Sequence, residues 1–347
     1  MRKCVYVCWL ACAACSPSGE LPRAIGTAGQ DGSAGSAGSA GSAGEGGSGN
    51  LGGAGGTISL PPSDAATKRD AAVVTTLPQG FTQTEIGGYK LGEPLGTDAG
   101  TDAGIDTGNA DCGNILLGVV RDFRGRSEPG GNPDFEGPLY GNGITLNLVS
   151  AALGTDKKPV YASQCEEGHP SPAPACAYGA ETTTKDNFDQ WYRYTSGVNL
   201  PFLVRLWFAP QPNGLFTFQS LFFFPLDDAG YGNSGTDKPG KQRNFSFTTE
   251  LHTRFRYGGG ESFQFEGDDD VWVFINGKLA VDLGGLHPKE VGSVDLDQRA
   301  QELEIVPGNV YDLELFHAER HTQESTFRID TNLSFVNCGT VPPDIPR

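Results

Sequence analysis

The sequence predicts an all-β fold, an antiparallel sandwich behind a long Gly/Ser/Ala-rich leader, and three observations carry that reading. From Cys112 onward, short apolar or alternating runs are separated by loops of Gly, Asp and Pro, the pattern of many strands. The run Val271-Trp272-Val273-Phe274-Ile275 stops at Asn276-Gly277, the strongest short signal for a type I′ hairpin turn. No helical period is sustained, apart from a short helix expected near residues 186–194.

Taken in order, Met1-Arg2-Lys3 and the apolar run to Cys15 read as a secretory signal over residues 1–14, too short to span a membrane. Ala13-Ala14-Cys15-Ser16-Pro17 resembles a bacterial lipoprotein cleavage site, with Cys15 as the lipid-bearing residue. Cys12 stands where Leu is usual, so cleavage before Cys12 is an alternative, as is plain secretion. Residues 15–76 repeat Gly32-Ser33-Ala34 through Gly44 and have almost nothing to bury, which predicts a disordered, flexible stalk. Residues 77–111 hold a strap of short extended pieces and then an Asp/Gly-rich linker. Asp98, Asp102 and Asp106 recur there every four residues, yet fit neither an EF-hand loop nor the glycine-rich nonapeptide pattern.

Residues 112–338 are expected to form one domain, with 339–347 as a tail. Strands are expected at 115–120, 203–208, 215–224, 244–257, 310–316 and 325–336. Within the hairpin, Val271, Val273 and Ile275 share one face, while Trp272 and Phe274 share the other. On the return strand, Leu279, Val281 and Leu283 are expected on one face.

Outside the leader the cysteines are Cys112, Cys165, Cys176 and Cys338, an even count that suggests disulfides in an exported protein. Proximity favours Cys165–Cys176, which leaves Cys112–Cys338 to clip the first strand to the last. No Cys-x₂-Cys spacing supports a zinc site. The net charge of −17 argues against nucleic acid and against docking on anionic lipid, and fits a solvated surface protein.

Asp268-Asp269-Asp270 stand at the mouth of the hairpin. Adjacent carboxylates repel unless a cation or proton relieves them, and clustered hard oxygens suit Ca²⁺. The bland alternative is an Asx-turn with the remaining carboxylates in water. Gly267-Asp268-Asp269-Asp270-Val271, Ile275-Asn276-Gly277-Lys278-Leu279 and Val281-Asp282 resemble the core motif of PA14 domains. More specifically, the chain resembles the PA14-related fibro-slime family of bacterial and slime-mould surface proteins. Arg121-Asp122-Phe123, Asn132 to Glu136, Asn244 to Thr253, Gly284-Gly285-Leu286-His287, Gly292 to Asp297, Ala318 to Thr322 and Phe327 to Thr331 match in order, over roughly residues 113 to 336.

The resemblance implies Ca²⁺ held by Asp268 and Asp269, joined by a cis peptide as in the sugar-binding yeast adhesins, with Asp270 replacing the usual Gly. Asp270, Trp272, Glu319, Arg320 and His321 are the expected ligand-contacting residues around it. Arg320 could instead pair with Asp269 or Asp270 and compensate the cluster without a metal. His317, Glu319 and His321 alternate along the chain and could be read as a metal site, whereas Leu313 and Leu315 precede His317 on its face and favour packing beside core. Trp191-Tyr192-Arg193-Tyr194 could stack on a sugar or pack in the core, and Asp227-Asp228 reads as a turn or a second rim.

The expected function is an exported surface protein with a Ca²⁺-dependent carbohydrate-binding module, for adhesion or assembly of an extracellular matrix, touching membrane through a lipid anchor only. One alternative is a structural matrix protein in which calcium stiffens loops. Another is a glycan hydrolase using Glu319 and His321, although no Gly-x-Ser-x-Gly elbow, phosphate loop or His-Glu-x-x-His is present.

Overall fold

β-Branched and aromatic residues in short alternating runs form sixteen strands among the residues that the computed structural model describes, 73–95, 113–136 and 142–345. All belong to the unit Asp64–Arg347. The leader with Cys12 and Cys15, the Gly/Ser/Ala repeat, the Asp98 to Asp106 repeat and Cys112 lie outside the described residues. No helix among the described residues is long and apolar enough to cross a membrane.

The strands are β1 (Thr82–Gln83), β2 (Gly88–Pro94), β3 (Ile115–Phe123), β4 (Asn199–Trp207), β5 (Ala209–Pro210), β6 (Phe216–Ser220), β7 (Gly235–Thr236) and β8 (Gln242–Arg243). They continue with β9 (Phe247–Arg256), β10 (Ser262–Gly267), β11 (Asp270–Ile275), β12 (Lys278–Leu283), β13 (Glu290–Asp295), β14 (Val310–Glu319), β15 (Phe327–Thr331) and β16 (Ser334–Phe335). The helices are α1 (Lys185–Asp189) and α2 (Leu296–Leu303).

A nine-stranded sheet runs β1-β2-β4-β3-β9-β14-β11-β12, with β16 paired to β9. A five-stranded sheet runs β13-β10-β15-β6-β5, and β7 and β8 form a separate hairpin. Every pairing between the named strands is antiparallel. The main core lies between the two large sheets. Val271, Val273, Ile275, Leu251 and Leu315 meet Phe263, Phe265, Phe327, Ile329 and Phe218 there, all at most 2% exposed. The fold is the expected all-β sandwich.

The outer face of the nine-stranded sheet is also covered. Trp272, Phe274 and Phe316 pack against Phe135, Phe188, Trp191 and Tyr192, which the long β3–β4 connection contributes. Leu117, Val119 and Leu203 pack against Val341 and Ile345 near the chain's end. Beneath that layer Glu250 is held by Arg121 at 2.5 Å and Lys158 at 2.6 Å. Burial alone would raise its pKa, but Lys158 and Arg121 outweigh that and hold it well below the carboxylate range. Trp191 and Tyr192 therefore serve packing.

The hairpin turn is as expected: Asn276 and Gly277 take φ of 53° and 72°, and Ile275 pairs directly with Lys278. The return strand differs. The register shifts between Val273 and Phe274, so Val273 faces Val281 while Phe274 faces Leu279. Ala280 is the extra residue of this bulge. Val281 and Leu283 therefore enter the main core, whereas Leu279 turns to the outer aromatic cluster.

Three further observations concern extent. The strap joins the nine-stranded sheet, since β2 pairs with β4 from Gly88 to Pro94. The tail beyond 338 docks, with Thr340 N donating to His252 O at 2.8 Å. The helix near 186–194 is shortened to α1, while α2 was not expected. Asp295 caps α2 by accepting from Gln298 N at 3.0 Å, and Leu296 and Leu303 anchor it in the core.

Cys165 and Cys176 are disulfide-bonded, with Cα atoms 5.4 Å apart. Cys338 is also disulfide-bonded, and its expected partner Cys112 lies outside the described residues.

Candidate functional site

Strand β10 ends at Gly267 and β11 begins at Asp270, so Asp268 and Asp269 bridge the five-stranded sheet to the nine-stranded one. The peptide between them is cis. The side chain of Asp268 accepts from Thr326 N at 2.5 Å, and its carbonyl lies 3.0 Å from His317 Nε2. Asp269 accepts from Arg320 N at 3.2 Å. Both aspartates line a cleft of about 330 Å³ at this end of the sandwich. Leu286, His287 and Pro288 form one side of it, and His321 to Glu324 another. Lys238, on the tip of the β7–β8 hairpin, reaches in at the rim and pairs with Glu324 at 2.5 Å.

The electrostatics follow from burial. It pushes Asp268 up to about 6, partly offset by the Thr326 amide. Asp269 is pushed well above the carboxylate range by burial; Arg320 opposes this, and the charges of Asp270 and Asp268 add to it. Glu319 is raised in the same way, by burial first and then by Asp269 and Asp268. Among the described residues, neither of its carboxylate oxygens has a hydrogen-bond partner. The neighbouring Ser325 hydroxyl donates instead to Phe223 O at 2.9 Å.

The structure separates the expected site residues. Asp268, Asp269 and His321 line the cleft. Asp270 and Arg320 stand behind it as a buried ion pair, Nε to Oδ2 at 2.7 Å. Arg320 thus gives its guanidinium to Asp270 and its backbone N–H to Asp269. Trp272 is wholly buried, because β11 alternation turns it into the outer aromatic cluster, and its Nε1 donates to Asp282 at 3.0 Å. Glu319 is wholly buried where β14 ends. It does not line the cleft with His321, so the two are not presented together to a ligand there. His317 is packed among Phe223, Phe247, Phe265 and Phe327, with burial lowering its pKa to about 4. Asp227 accepts from Arg243 and Asn244 N in a turn and lines no part of the cleft.

Sequence reasoning missed Lys238, His287 and Glu324. His287 closes the Gly284 to His287 segment and was within reach of the motif; no local pattern marks Lys238 or Glu324, which come together only through the fold. It also missed Asp134 and Glu181. Their backbone carbonyls accept from Arg320 Nη1 at 3.2 and 3.0 Å, and the Glu181 carboxylate accepts from Leu286 N at 3.0 Å. The β3–β4 connection therefore fixes both the arginine and the Leu286 wall.

Among the described residues no group of three or more His, Cys, Asp or Glu is placed to hold a metal ion by itself. Asp268 and Asp269 supply hard oxygens at a cleft, which suits Ca²⁺ in kind. They are only part of the six to eight oxygens such an ion takes, about, on the usual pattern.

Comparison with known proteins finds a family model that matches part of the chain. Residues 208–346 match the PA14 domain. The matched stretch includes every residue named above as lining the cleft. Protein psiR of Dictyostelium discoideum is 37% identical over 233 residues, covering 64% of this chain and 21% of psiR. Proteins psiJ and psiD of the same organism are 37% and 36% identical over 230 and 207 residues, covering 62% and 58% of this chain. The chain spans 21%, 30% and 39% of the lengths of these three relatives. They are eukaryotic, and lend no support to a bacterial lipoprotein signal at Cys15.

Among solved structures, a PA14 sugar-binding domain from an RTX adhesin is similar at 10% identity and a TM-score of 0.21, over 36% of this chain and 76% of that one. An anti-sigma factor domain-containing protein reaches the same TM-score at 11% identity, over 65% and 80%. Structural likeness at this level singles out no ligand.

Proposed function

We propose that this protein is an exported glycan-binding protein whose PA14-type cleft takes sugar through a calcium ion held by Asp268 and Asp269. The observation that carries the reading is the placement of these two carboxylates, adjacent in the chain and lining one cleft. Calcium would favour the charged carboxylates that burial disfavours at both residues, and would offset the charges of Asp270 and Asp268 on Asp269. Backbone carbonyls, water and sugar hydroxyls would complete its oxygen shell. The family resemblance supports glycan as the ligand, and the role would be adhesion or matrix assembly. Export is supported by the Cys165–Cys176 disulfide and the bonded Cys338.

A second reading rests on Arg320. Its backbone N–H on Asp269 and its guanidinium on Asp270 already offset part of the acidic charge. Calcium would then stiffen loops of a structural matrix protein and bind no sugar directly. A glycan array with and without chelator separates the two. Chelator-sensitive glycan signals support the first reading; a protein that melts higher with calcium and binds no glycan supports the second.

A further inference from the structure

The solvent face of the five-stranded sheet carries a groove of about 460 Å³ that shares no lining residue with the acidic cleft. Its size lies within the range of small-molecule clefts, roughly 300–1,000 Å³. One wall is the Arg328/Asp330 stretch of β15, which the acidic cleft does not use. Arg328 is held flat on the sheet by Asp330, Nε to Oδ2 at 2.5 Å and Nη2 to Oδ1 at 3.1 Å, and by Gln219 at 3.2 Å. Thr217 Oγ1 donates to the same Asp330 at 2.6 Å. Asp330 and Thr217 are only 7% and 1% exposed, so this polar patch is built into the sheet.

The opposite wall is the turn from β5 to β6. Gln211 N donates to Leu215 O at 2.8 Å, and Asn213 Oδ1 accepts from Leu215 N at 3.1 Å, while the Asn213 amide NH₂ makes no hydrogen bond to the described residues. Gln264 lies on β10 opposite Asp330, and its half-buried carboxamide makes no hydrogen bond to the described residues. Ile86, Pro212 and Leu215 add aliphatic surface. The groove therefore combines idle carboxamides, a charge-balanced Arg/Asp pair and an apolar edge. That chemistry suits neither an anion nor a cation. It suits a neutral ligand with several hydroxyls on an apolar ring face.

We propose that this groove is a second saccharide site, taking a neutral sugar unit without a metal ion. Gln264 and Asn213 supply the free hydrogen-bonding groups, and Arg328 and Asp330 offer their remaining valences to adjacent hydroxyls. The inference rests on the glycan-binding reading above but not on calcium. Two sites on one domain would let it bridge, or grip at two points, a polymeric glycan.

The test uses the full chain carrying Asp268→Asn and Asp269→Asn, in chelator, titrated with lactose, maltose and cellobiose and followed by backbone amide NMR. Saturable shifts are expected at Asn213, Leu215 and Gln264. Gln264→Ala, which removes no side-chain hydrogen bond among the described residues, should weaken binding at least about fivefold and leave the melting midpoint unchanged. Asn213→Ala should act likewise. If wild-type protein binds sugar only with calcium, with shifts confined to the acidic cleft, the groove is an ordinary solvated sheet face and the inference falls while the calcium reading stands. If neither protein binds any sugar, both fall.

Discussion

Arg320 Nε stands 2.7 Å from Oδ2 of Asp270, and both side chains are wholly buried. The same guanidinium lies 4.6 Å over the ring of Trp191 and donates to the carbonyls of Asp134 and Glu181. One side chain thus joins β14, β11 and the covering β3–β4 connection. Because the Arg320 backbone N–H also meets Asp269, the position of the acidic cleft depends on this arrangement.

Removing one partner of a buried ion pair leaves the other charge uncompensated, which costs about 3–5 kcal/mol. Arg320→Met should therefore lower the unfolding free energy by about that amount in urea titrations. Adding Asp270→Leu should recover part of the loss, because the two positions are coupled. A loss well under 1 kcal/mol, about the scale of a surface pair, would show that the contact does not organise the fold.

Burial pushes Glu181 up to about 7, with the Leu286 amide and Arg320 offsetting part of the rise. Between its unfolded value of 4.5 and about 7, the folded protein keeps a proton that the unfolded chain has lost. Stability from this group therefore falls as pH rises through that window, by about 3 kcal/mol in all. Glu181→Gln can still accept from Leu286 N and donate to the Thr145 hydroxyl. The difference between wild type and variant should be small near pH 4 and favour the variant at about pH 8. A difference that is flat with pH would refute the assignment.

Asp295 caps α2, and Asp295→Ala should cost about 1 kcal/mol. Thermal melts at constant pH measure it. No change would mean that the helix N-terminus is satisfied otherwise.

The hairpin was legible because local chemistry decides it. Asn276 and Gly277 tolerate positive φ, and period-two alternation separates Val271, Val273 and Ile275 from Trp272 and Phe274. The bulge at Ala280 was not, since its cause is cross-strand register rather than composition. Helix α2 carried readable signs, an Asp cap and apolar residues at 296, 300 and 303, that its short length and strand-rich neighbourhood concealed. At the cleft, the Asp268/Asp269 pair was visible as a motif. The choice of Asp270 over Asp269 for the Arg320 guanidinium, and the arrival of Lys238, His287 and Glu324, depend on contacts across the fold. Trp272 is expected at the ligand because it follows the aspartates in sequence, and Glu319 because residues 319–322 read as a loop beside the acidic mouth; alternation along β11 buries Trp272 in the outer cluster, and β14 runs through Glu319 and buries it.

The central claim is that sugar reaches this protein through calcium on Asp268 and Asp269. Isothermal titration of an array-selected glycan into wild type, with calcium and then with excess chelator, tests it most directly when repeated on Asp268→Asn with Asp269→Asn. The account predicts cleft binding that chelator abolishes and that the double variant lacks even with calcium. Undiminished binding at the cleft in chelator, or in the double variant, would contradict it.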